Sequence, residues 1–414
     1  MDKIREKVIL VGVKTDENER SFESSMKELA NLTKTADGEV VFQLTQNRPQ
    51  IDRRTVIGKG KLEELVQLVD AYEADLIVFN HELTPRQNSL LEESVGVRVI
   101  DRVQLILDIF ALRARSREGK LQVELAQLNY LLPRLTGQGI SLSRQGGGIG
   151  ARGPGETKLE TDRRHIRYKI SLIRKELKEV SAHRKRSREK RKTSDVFQIG
   201  LIGYTNAGKS TILNLLTSAD TYEENQLFAT LDPLTKKWQL PQGLMVTLTD
   251  TVGFIQDLPT QLVEAFHSTL EESQNMDLLL HVVDASAEDR LQHEQTVMDL
   301  LKDLDMEKTP VLTVYNKSDK VSSDFVPTLF PNTLISAKST VGKEILTDAV
   351  RKKIMEIMVP YEFSVPASKG DVLNELRRTT ILLTEEYREE ENDYHVKGFA
   401  KEDSKWKHYG EKEE

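Results

Sequence analysis

The sequence predicts an α/β protein whose second half is a doubly wound domain, preceded by a small parallel α/β domain and a helical hairpin and followed by a small α+β domain. Three observations support this fold class. Short β-branched runs alternate with helical patterns in both halves, apolar residues recur with a 3.5-residue period between them, and GYTNAGKS joins a strand-like run to a helical pattern at residues 203–210. Such alternation is typical of sheets covered by helices.

Length and composition limit the class of protein. A chain of 414 residues with a hydrophobic fraction of 38% is too long for one ordinary core, so several folded domains are expected. The chain has no Cys, which excludes disulfides and thiolate metal sites and suits a reducing compartment. The start of the chain is charged, and no run approaches the roughly 20 apolar residues that span a bilayer. We therefore expect no signal peptide, no membrane-spanning segment and a cytoplasmic location.

The first domain is predicted over residues 1–102. Four apolar, β-branched runs are typical of buried strands: KVILVGV (7–13), EVVFQLTQ (39–46), DLIVFN (75–80) and VRVI (97–100). One helix face between them is indicated by the i, i+3, i+4, i+7 spacing of Leu62, Leu65, Val66 and Val69. Strands that alternate with helices in this way predict a small parallel sheet.

A helical hairpin is predicted over residues 103–192. Two series of apolar residues have the 3.5-residue period of a helix seam: Leu121, Leu125, Leu128 and Leu132, then Ile166, Ile170, Ile173, Leu177 and Val180. Two such helices pack most simply as an antiparallel pair, and the alternative is two amphipathic helices lying on a core. Pro133 should end or kink the first helix near Leu132, because proline lacks a backbone N–H.

A glycine-rich loop at residues 137–155 joins the two helices. Seven glycines between 137 and 153 allow the backbone to approach a partner closely, and Arg144 and Arg152 lie among them. These two arginines are the candidate RNA-binding residues, whereas the alternative is that the loop is only a hinge. The basic run SAHRKRSREKRK at 181–192 is a second candidate, with a solvated linker as its alternative.

Strand-like runs return in the second half and predict a doubly wound domain over residues 196–359. They are VFQIGLIG, LMVTLTD, DLLLHVVDA, PVLTVYN and TLISA, separated by helical patterns such as Leu291, Val297, Leu300, Leu301 and Leu304. Residues 361–414 are predicted to form a small C-terminal domain with an acidic tail. In a doubly wound sheet, the residues at the carboxyl ends of the strands decide the chemistry.

The first strand-end motif is GYTNAGKS, which matches the phosphate loop G-x-x-x-x-G-K-[ST] in the required context of strand, loop and helix. Its backbone N–H groups would surround the phosphates, Lys209 would reach the β- and γ-phosphates, and Ser210 would ligate Mg²⁺. The candidate nucleotide-binding residues here are Gly203, Asn206, Ala207, Gly208, Lys209, Ser210 and Thr211.

Two further motifs are expected around the γ-phosphate. FATLDP offers Thr230, whose hydroxyl and carbonyl could reach Mg²⁺ and the γ-phosphate from a mobile loop. In DTVGF, Asp250 would hold Mg²⁺ through water and the Gly253 N–H would sense the γ-phosphate. The candidate metal ligands are Ser210, Thr230 and Asp250, and the candidate catalytic residues are Lys209, Thr230 and Gly253.

The last two motifs predict recognition of guanine. In NKSD, which supplies Asn316, Lys317 and Asp319, the Asp319 carboxylate can accept two hydrogen bonds that guanine donates and adenine does not. In SAK, which comprises Ser336, Ala337 and Lys338, the Ala337 N–H would donate to the guanine oxygen. Five motifs in this order predict a P-loop GTPase domain that binds GTP and GDP and hydrolyses GTP to GDP and phosphate.

Phe254 follows Gly253 at the position where many GTPases place a glutamine that orients the attacking water. A phenyl ring cannot hydrogen-bond water, so slow intrinsic hydrolysis is expected. Phe254→Gln alone should not restore fast turnover, because the loop must also place the new side chain.

The whole arrangement resembles the HflX family of ribosome-associated GTPases. GYTNAGKS, FATLDP, DTVGFI and NKSD carry the resemblance, together with the preceding α/β domain, hairpin and SLSRQGGGIGARGPGETKLE, over about residues 1–360. The resemblance implies binding to the large ribosomal subunit and its rRNA, with the loop directed toward the peptidyl-transferase region. It also implies that the GTP form separates stalled or idle ribosomes, and that the ribosome completes the hydrolytic site.

Two alternative functions and one question about a single residue stay open at this stage. The chain could act as a ribosome-assembly GTPase on immature subunits, or as a nucleotide-gated regulator whose arm binds a protein. Asn206 occupies a position that resembles potassium-activated GTPases, in which this side chain helps hold K⁺ beside the phosphates; the alternative is that Asn206 only shapes the loop.

Overall fold

A computed structural model describes residues 5–19, 21–143, 154–192, 196–217, 228, 233–241, 243–251, 253–255, 276–322 and 324–409. They form two compact units. The first unit is built mainly from Met1–Ser181, and most of the remaining residues belong to the second.

The first unit contains a four-stranded, wholly parallel sheet. Its strands are β1 (Lys7–Lys14), β2 (Glu39–Asn47), β3 (Leu76–Phe79) and β4 (Arg98–Asp101), in the order β2-β1-β3-β4. The two central strands are buried almost throughout, which explains their continuous Val, Ile and Leu runs. The four predicted strands and their parallel arrangement are confirmed.

Helices cover this sheet. They are α1 (Phe22–Thr35), α2 (Lys59–Tyr72), α3 (Pro85–Val95) and α4 (Arg102–Arg113). On α2, Leu65 and Val69 are buried in the core and their neighbours on the predicted face pack beside them, as expected. The start of α3 is fixed by a capping box between Thr84 and Gln87 with Pro85 in the first turn.

Two long helices form the antiparallel hairpin, α5 (Arg117–Ser143) and α6 (Pro154–Lys192). Ion pairs join Arg117 to Glu176 at 3.0 Å and Glu124 to Lys169 at 2.5 Å. Residue numbers rise along α5 while those of the partners on α6 fall, which shows that the two helices are antiparallel. On α6, Ile170 and Ile173 of the predicted seam are buried. On α5, a different face is the more deeply buried one, that of Val123, Ala126 and Tyr130, and α5 packs on α3 and α4.

The prediction that the first helix would end near Leu132 was wrong, because α5 continues through Pro133 to Ser143. The predicted loop at 137–155 was too long for the same reason, since its first seven residues belong to α5 and α6 begins at Pro154; residues 144–153 lie outside the described residues. The residue after Pro133 stabilises this turn. The Arg134 guanidinium stacks on the Tyr130 ring at 3.4 Å, donates to the Tyr130 carbonyl at 3.1 Å and pairs with the buried Asp101 at 3.0 Å. These contacts offset the one backbone hydrogen bond that proline removes.

The second unit is built on a six-stranded sheet. Its strands are β5 (Phe197–Gly203), β6 (Leu234–Gln239), β7 (Met245–Asp250), β8 (Leu278–Asp284), β9 (Val311–Asn316) and β10 (Asn332–Leu334), in the order β10-β9-β8-β5-β7-β6. All neighbouring pairs are parallel except β6 with β7. The antiparallel edge strand β6 was not predicted from the sequence.

In the part of this domain that the structure describes, the α-helices are α7 (Lys209–Thr217), α8 (Arg290–Asp303) and α9 (Thr340–Ile357). Val297 and Leu301 of α8 are buried as its pattern predicts, but Leu291 is 61% exposed and takes no part in the core. The doubly wound fold brings the ends of β5, β7, β8 and β9 to one edge, which positions the site.

The C-terminal part is α+β, as predicted. Strands β11 (Val359–Pro366), β12 (Ile381–Arg388) and β13 (Asp393–Ala400) form an antiparallel sheet in the order β11-β13-β12, with α10 (Gly370–Thr379) after β11. Ile381 is buried in the core of the six-stranded sheet, and Lys401 pairs with Asp277 at 2.8 Å. The small sheet is therefore joined to the neighbouring domain through a shared core.

Candidate nucleotide site

The phosphate loop at residues 203–210 connects β5 to α7, and its conformation requires two of its glycines. Gly203 has φ of 149°, and a Cβ there would lie 2.2 Å from the Val282 carbonyl oxygen. Gly208 has φ of 102°, and its Cβ would lie 2.2 Å from the Asn316 amide nitrogen. Both the backbone angle and the space exclude a side chain at these positions.

Lys209 is buried at the start of α7 and is directed into the loop. Its Nζ donates to the carbonyl oxygens of Gly203 at 3.1 Å and Tyr204 at 3.0 Å. An ammonium group has three donors, so a third is available for a phosphate oxygen. Burial lowers the pKa of Lys209 to about 8, while the charge of Asp250 acts in the opposite direction. The ammonium group of Lys209 is therefore held within the loop, where the sequence predicts that it contacts phosphate.

Ser210 and Asp250 bring together two oxygen ligands of the kind that Mg²⁺ prefers. The Ser210 hydroxyl donates to Asp250 Oδ2 at 2.6 Å, between the start of α7 and the end of β7. Their donor set fits the predicted metal site, whereas Thr230 lies outside the described residues. Within the described ranges, no cluster of three or more His, Cys, Asp or Glu residues offers a second metal site.

The segment after β7 is paired to the phosphate loop through its backbone. The Phe254 N–H donates to the Gly203 carbonyl at 3.2 Å, and the Thr205 N–H donates to the Phe254 carbonyl at 2.8 Å. A Cβ on Gly253 would lie 3.0 Å from Lys209 Nζ. This pairing places Gly253 next to the lysine head, on the side where the γ-phosphate is expected.

The Phe254 side chain is 5% exposed and packs in an apolar cluster with Ile202, Val297 and Leu301. The ring is therefore a core residue under α8 and not a group near the attacking water. Glutamine at this position would have to bury an amide in that cluster, which is unfavourable. The packing gives a physical reason to expect that Phe254→Gln does not speed hydrolysis.

Asn316 connects the phosphate loop to the guanine motifs. Its amide donates to the Ala207 carbonyl at 2.9 Å, and its oxygen accepts from the Ala337 N–H at 2.9 Å. The Ala337 N–H, which the sequence assigns to guanine, is thus directed to Asn316 in this structure. Asp319 is exposed, and its Oδ1 accepts from the Ser336 hydroxyl at 2.6 Å. This hydrogen bond is the main cause that lowers the pKa of Asp319 and keeps it ionised.

Two features at this edge were missed from the sequence. Asp284, the last residue of β8, pairs with Lys317 at 2.7 Å, and the Tyr204 ring stacks on His293 of α8 with ring centroids 3.7 Å apart. The position of Asp284 at the carboxyl end of a buried parallel strand was the signal that could have identified it. Thr211 lies in the first turn of α7, and the charge of Lys338 contributes to lowering the pKa of Asp319.

The RNA-binding candidates are not placed by the structure. Arg144 and Arg152 lie outside the described residues. The basic run at 181–192 lies within α6, although the positions of its side chains are not described. No helix in the described part of the chain is long and apolar enough to cross a membrane.

Comparison with known proteins identifies the family. Three family models match in succession: a GTP-binding GTPase N-terminal region at 23–111, a GTP-binding GTPase middle region at 113–191 and a 50S ribosome-binding GTPase at 198–317. GTPase HflX of Alkalihalophilus pseudofirmus is 52% identical over 400 residues, covering 96% of this chain and 95% of that one. The chain belongs to the HflX family of GTPases. The family predicted from the sequence is thereby confirmed.

Other HflX relatives agree with this assignment. GTPase HflX of Escherichia coli K12 is 42% identical over 353 residues, covering 83% of this chain and 82% of that one. A crystal structure of a GTP-binding protein from Sulfolobus solfataricus in complex with GDP is 24% identical, covers 84% of this chain and 99% of that one, and has a TM-score of 0.45. Because the chain belongs to the HflX family and matches a GTPase family model at residues 198–317, it is a GTP-binding, GTP-hydrolysing protein with a P-loop GTPase domain.

Proposed function

We propose that this HflX-family GTPase binds the large ribosomal subunit in its GTP form and dissociates stalled or idle ribosomes, and that hydrolysis permits its release. The observation that carries the proposal is the combination of a complete set of guanine-nucleotide motifs with a long basic hairpin in one chain. The match of residues 198–317 to a family described as 50S ribosome-binding GTPase supports the choice of partner.

The hairpin has the dimensions of an arm that reaches into a large particle. Helix α6 alone has 39 residues, which at 1.5 Å per residue is about 58 Å long. The glycine-rich segment at 144–153 lies between α5 and the start of α6 in the sequence, and the basic run at 181–192 belongs to the end of α6. Both segments supply the positive charge that contacts to RNA phosphates require.

The nucleotide site supports hydrolysis with these roles. Ser210, Thr230 and Asp250 would hold Mg²⁺, which neutralises charge on the phosphate oxygens. Lys209 would donate its remaining N–H to a phosphate oxygen, and the Gly253 N–H would contact the γ-phosphate. The chain's own residues leave the attacking water without a side chain to orient it at position 254. We propose that the ribosome supplies this missing element.

Large ribosomal subunits should therefore raise the rate of GTP hydrolysis at least about tenfold, a change of about 1.4 kcal/mol in the barrier. The measurement is phosphate release at saturating GTP, with and without purified subunits. A hydrolysis rate that is already fast without subunits, and that does not change when they are added, would contradict the proposal.

The same assay in KCl and NaCl at equal ionic strength tests whether Asn206 helps hold K⁺. Equal hydrolysis rates in the two salts would leave Asn206 as a loop-forming residue.

Co-sedimentation separates the proposed function from its alternatives. A splitting factor should bind mature large subunits in the presence of a non-hydrolysable GTP analogue and convert mature ribosomes into free subunits. A ribosome-assembly factor would prefer immature particles, and a regulator of a protein partner would bind neither.

Replacing both Arg144 and Arg152 by Ala should weaken ribosome binding, because their guanidinium groups are expected to contact RNA phosphates or bases. The slope of log K against log salt concentration should become shallower by roughly 0.7 to 0.9 for each phosphate that is no longer neutralised, while intrinsic GTP hydrolysis stays unchanged. The matched control replaces Lys185 and Arg186 by Ala. If that control abolishes binding while the loop variant binds normally, the basic run and not the loop binds the RNA.

A further inference from the structure

Asp284 lies outside all five sequence motifs, yet it occupies the centre of the site. It ends β8, the strand between β5, which leads into the phosphate loop, and β9, which leads into NKSD. Its Oδ2 accepts a hydrogen bond from Lys317 Nζ at 2.7 Å, and each of the two side chains is 21% exposed. The carboxylate therefore lies between the phosphate loop and NKSD, the two segments expected to bind the phosphates and the base of the nucleotide.

The Asp284 carboxylate is fixed before it meets the lysine. Its Oδ1 accepts from the Ser286 backbone N–H at 3.0 Å and from the Ser286 hydroxyl at 2.7 Å. The backbone at this point is held as well, because Asp284 is paired with Asn316 in the β8–β9 ladder and the Ala285 N–H donates to the Asn316 carbonyl at 2.9 Å. Oδ2 is thus presented to Lys317 in one defined position.

Lys317 transmits this constraint to the phosphate loop. Its Nζ also donates to the Asn206 carbonyl at 2.9 Å. Lys317 and Asn206 both have left-handed backbones, with φ of 64° and 59°, a conformation that is unfavourable for residues other than glycine. The chain of contacts from Asp284 through Lys317 to the Asn206 carbonyl joins these two strained turns and opposes their relaxation.

We propose that Asp284 is a positioning residue for the guanine nucleotide: by holding Lys317 on the Asn206 carbonyl, it keeps the phosphate loop and the guanine-recognition turn at the separation that a bound nucleotide requires. Without the Asp284 carboxylate, the Lys317 side chain is no longer held on the Asn206 carbonyl and both turns can relax. GDP and GTP then dissociate faster. The inference rests on GTP binding by the family's GTPase domain and not on ribosome splitting.

The effect of the Asp284 charge on nucleotide affinity depends on whether Lys317 is present. An unpaired carboxylate beside the phosphate loop would repel the nucleotide, so Asp284 helps only while Lys317 neutralises it. Lys317→Met leaves this carboxylate unpaired, whereas the double variant Asp284→Asn, Lys317→Met does not. Adding Asp284→Asn to Lys317→Met therefore causes no further loss of affinity.

The test measures dissociation of fluorescent GDP in stopped flow, without ribosomes. Asp284→Asn should raise the Kd about tenfold, mostly through faster dissociation. The double variant should bind no more weakly than Lys317→Met alone. Ser286→Ala, which keeps the charge but removes the hydroxyl that orients it, should raise the Kd by a smaller factor of about three. Asp284→Glu, which keeps the carboxylate, should recover part of the affinity.

The matched control is Asp348→Asn on α9, which removes a carboxylate whose ion pairs are with Arg351 and Lys352 of the same helix and not with a residue of the motifs. It should bind GDP like the parent protein. The proposal is overturned if Asp284→Asn binds and releases GDP at the parent's rates, or if the effects of Asp284→Asn and Lys317→Met add in full. Because no ribosome is present, neither outcome depends on the proposed ribosomal function.

Discussion

Replacing Asp319 by Asn should lower the affinity for GTP by at least about a hundredfold and create affinity for xanthosine triphosphate. The Asp319 carboxylate can accept hydrogen bonds from both N–H groups on one edge of guanine. Asparagine replaces one acceptor oxygen by an amide donor, which then faces a donor on guanine. A site built around a polar contact strongly rejects a ligand that cannot make it. Xanthine carries an oxygen where guanine carries its amino group, so it restores the pairing.

Fluorescence titration with labelled GDP and with xanthosine nucleotides measures this exchange of specificity. The structure supports it because the Ser336 hydroxyl already orients the Asp319 carboxylate, and that orientation is available to the asparagine oxygen too. Asp348→Asn serves again as the control for the loss of an exposed carboxylate. Unchanged GTP affinity in Asp319→Asn would show that this residue does not read the base.

Local sequence signals predicted most of the fold because they report burial directly. The central strands of the parallel sheets are covered on both faces, so their apolar runs are nearly continuous, as in β3 and in β8, where only His281 interrupts the run before Asp284. The edge strand β6 was missed because only one face of it packs. Lys236 and Lys237 interrupt its pattern, Trp238 alone is fully buried, and lysines on an edge are typical of strands that face solvent.

Tertiary contacts decided the features that the sequence could not show. Pro133 is a helix breaker by propensity, but the contacts of Arg134 with Tyr130 and Asp101 hold the helix together across it. The phosphate loop and NKSD were predicted from glycine placement and ligand chemistry. Asp284 was not, because its role exists only where three strand ends meet.

Native stability of the second unit should fall by about 3 kcal/mol between pH 6.5 and pH 4 because of His281 alone. This residue of β8 is 1% exposed, and its Nδ1 has no hydrogen-bond partner among the described residues. Burial lowers the pKa of His281 to about 4, and the positive charge of Lys209 acts in the same direction. As the pH falls below 6.5, the unfolded chain gains a proton that the native state refuses until about pH 4. The unfolded state is therefore favoured progressively over this window, and stability is fully retained above it.

His281→Leu should remove this part of the pH dependence, because leucine fills a similar volume and does not titrate. Both tryptophans of the chain, Trp238 and Trp406, are buried in the second unit, so tryptophan fluorescence during urea unfolding reports on that unit alone. The variant should lose about 3 kcal/mol less than the parent protein between pH 6.5 and 4. The control is His395→Gln, which replaces a histidine on the exposed pair with Glu362 and should keep the parent's steep decline. Parallel losses in the parent and in His281→Leu would show that other groups titrate in this window and that His281 does not control it.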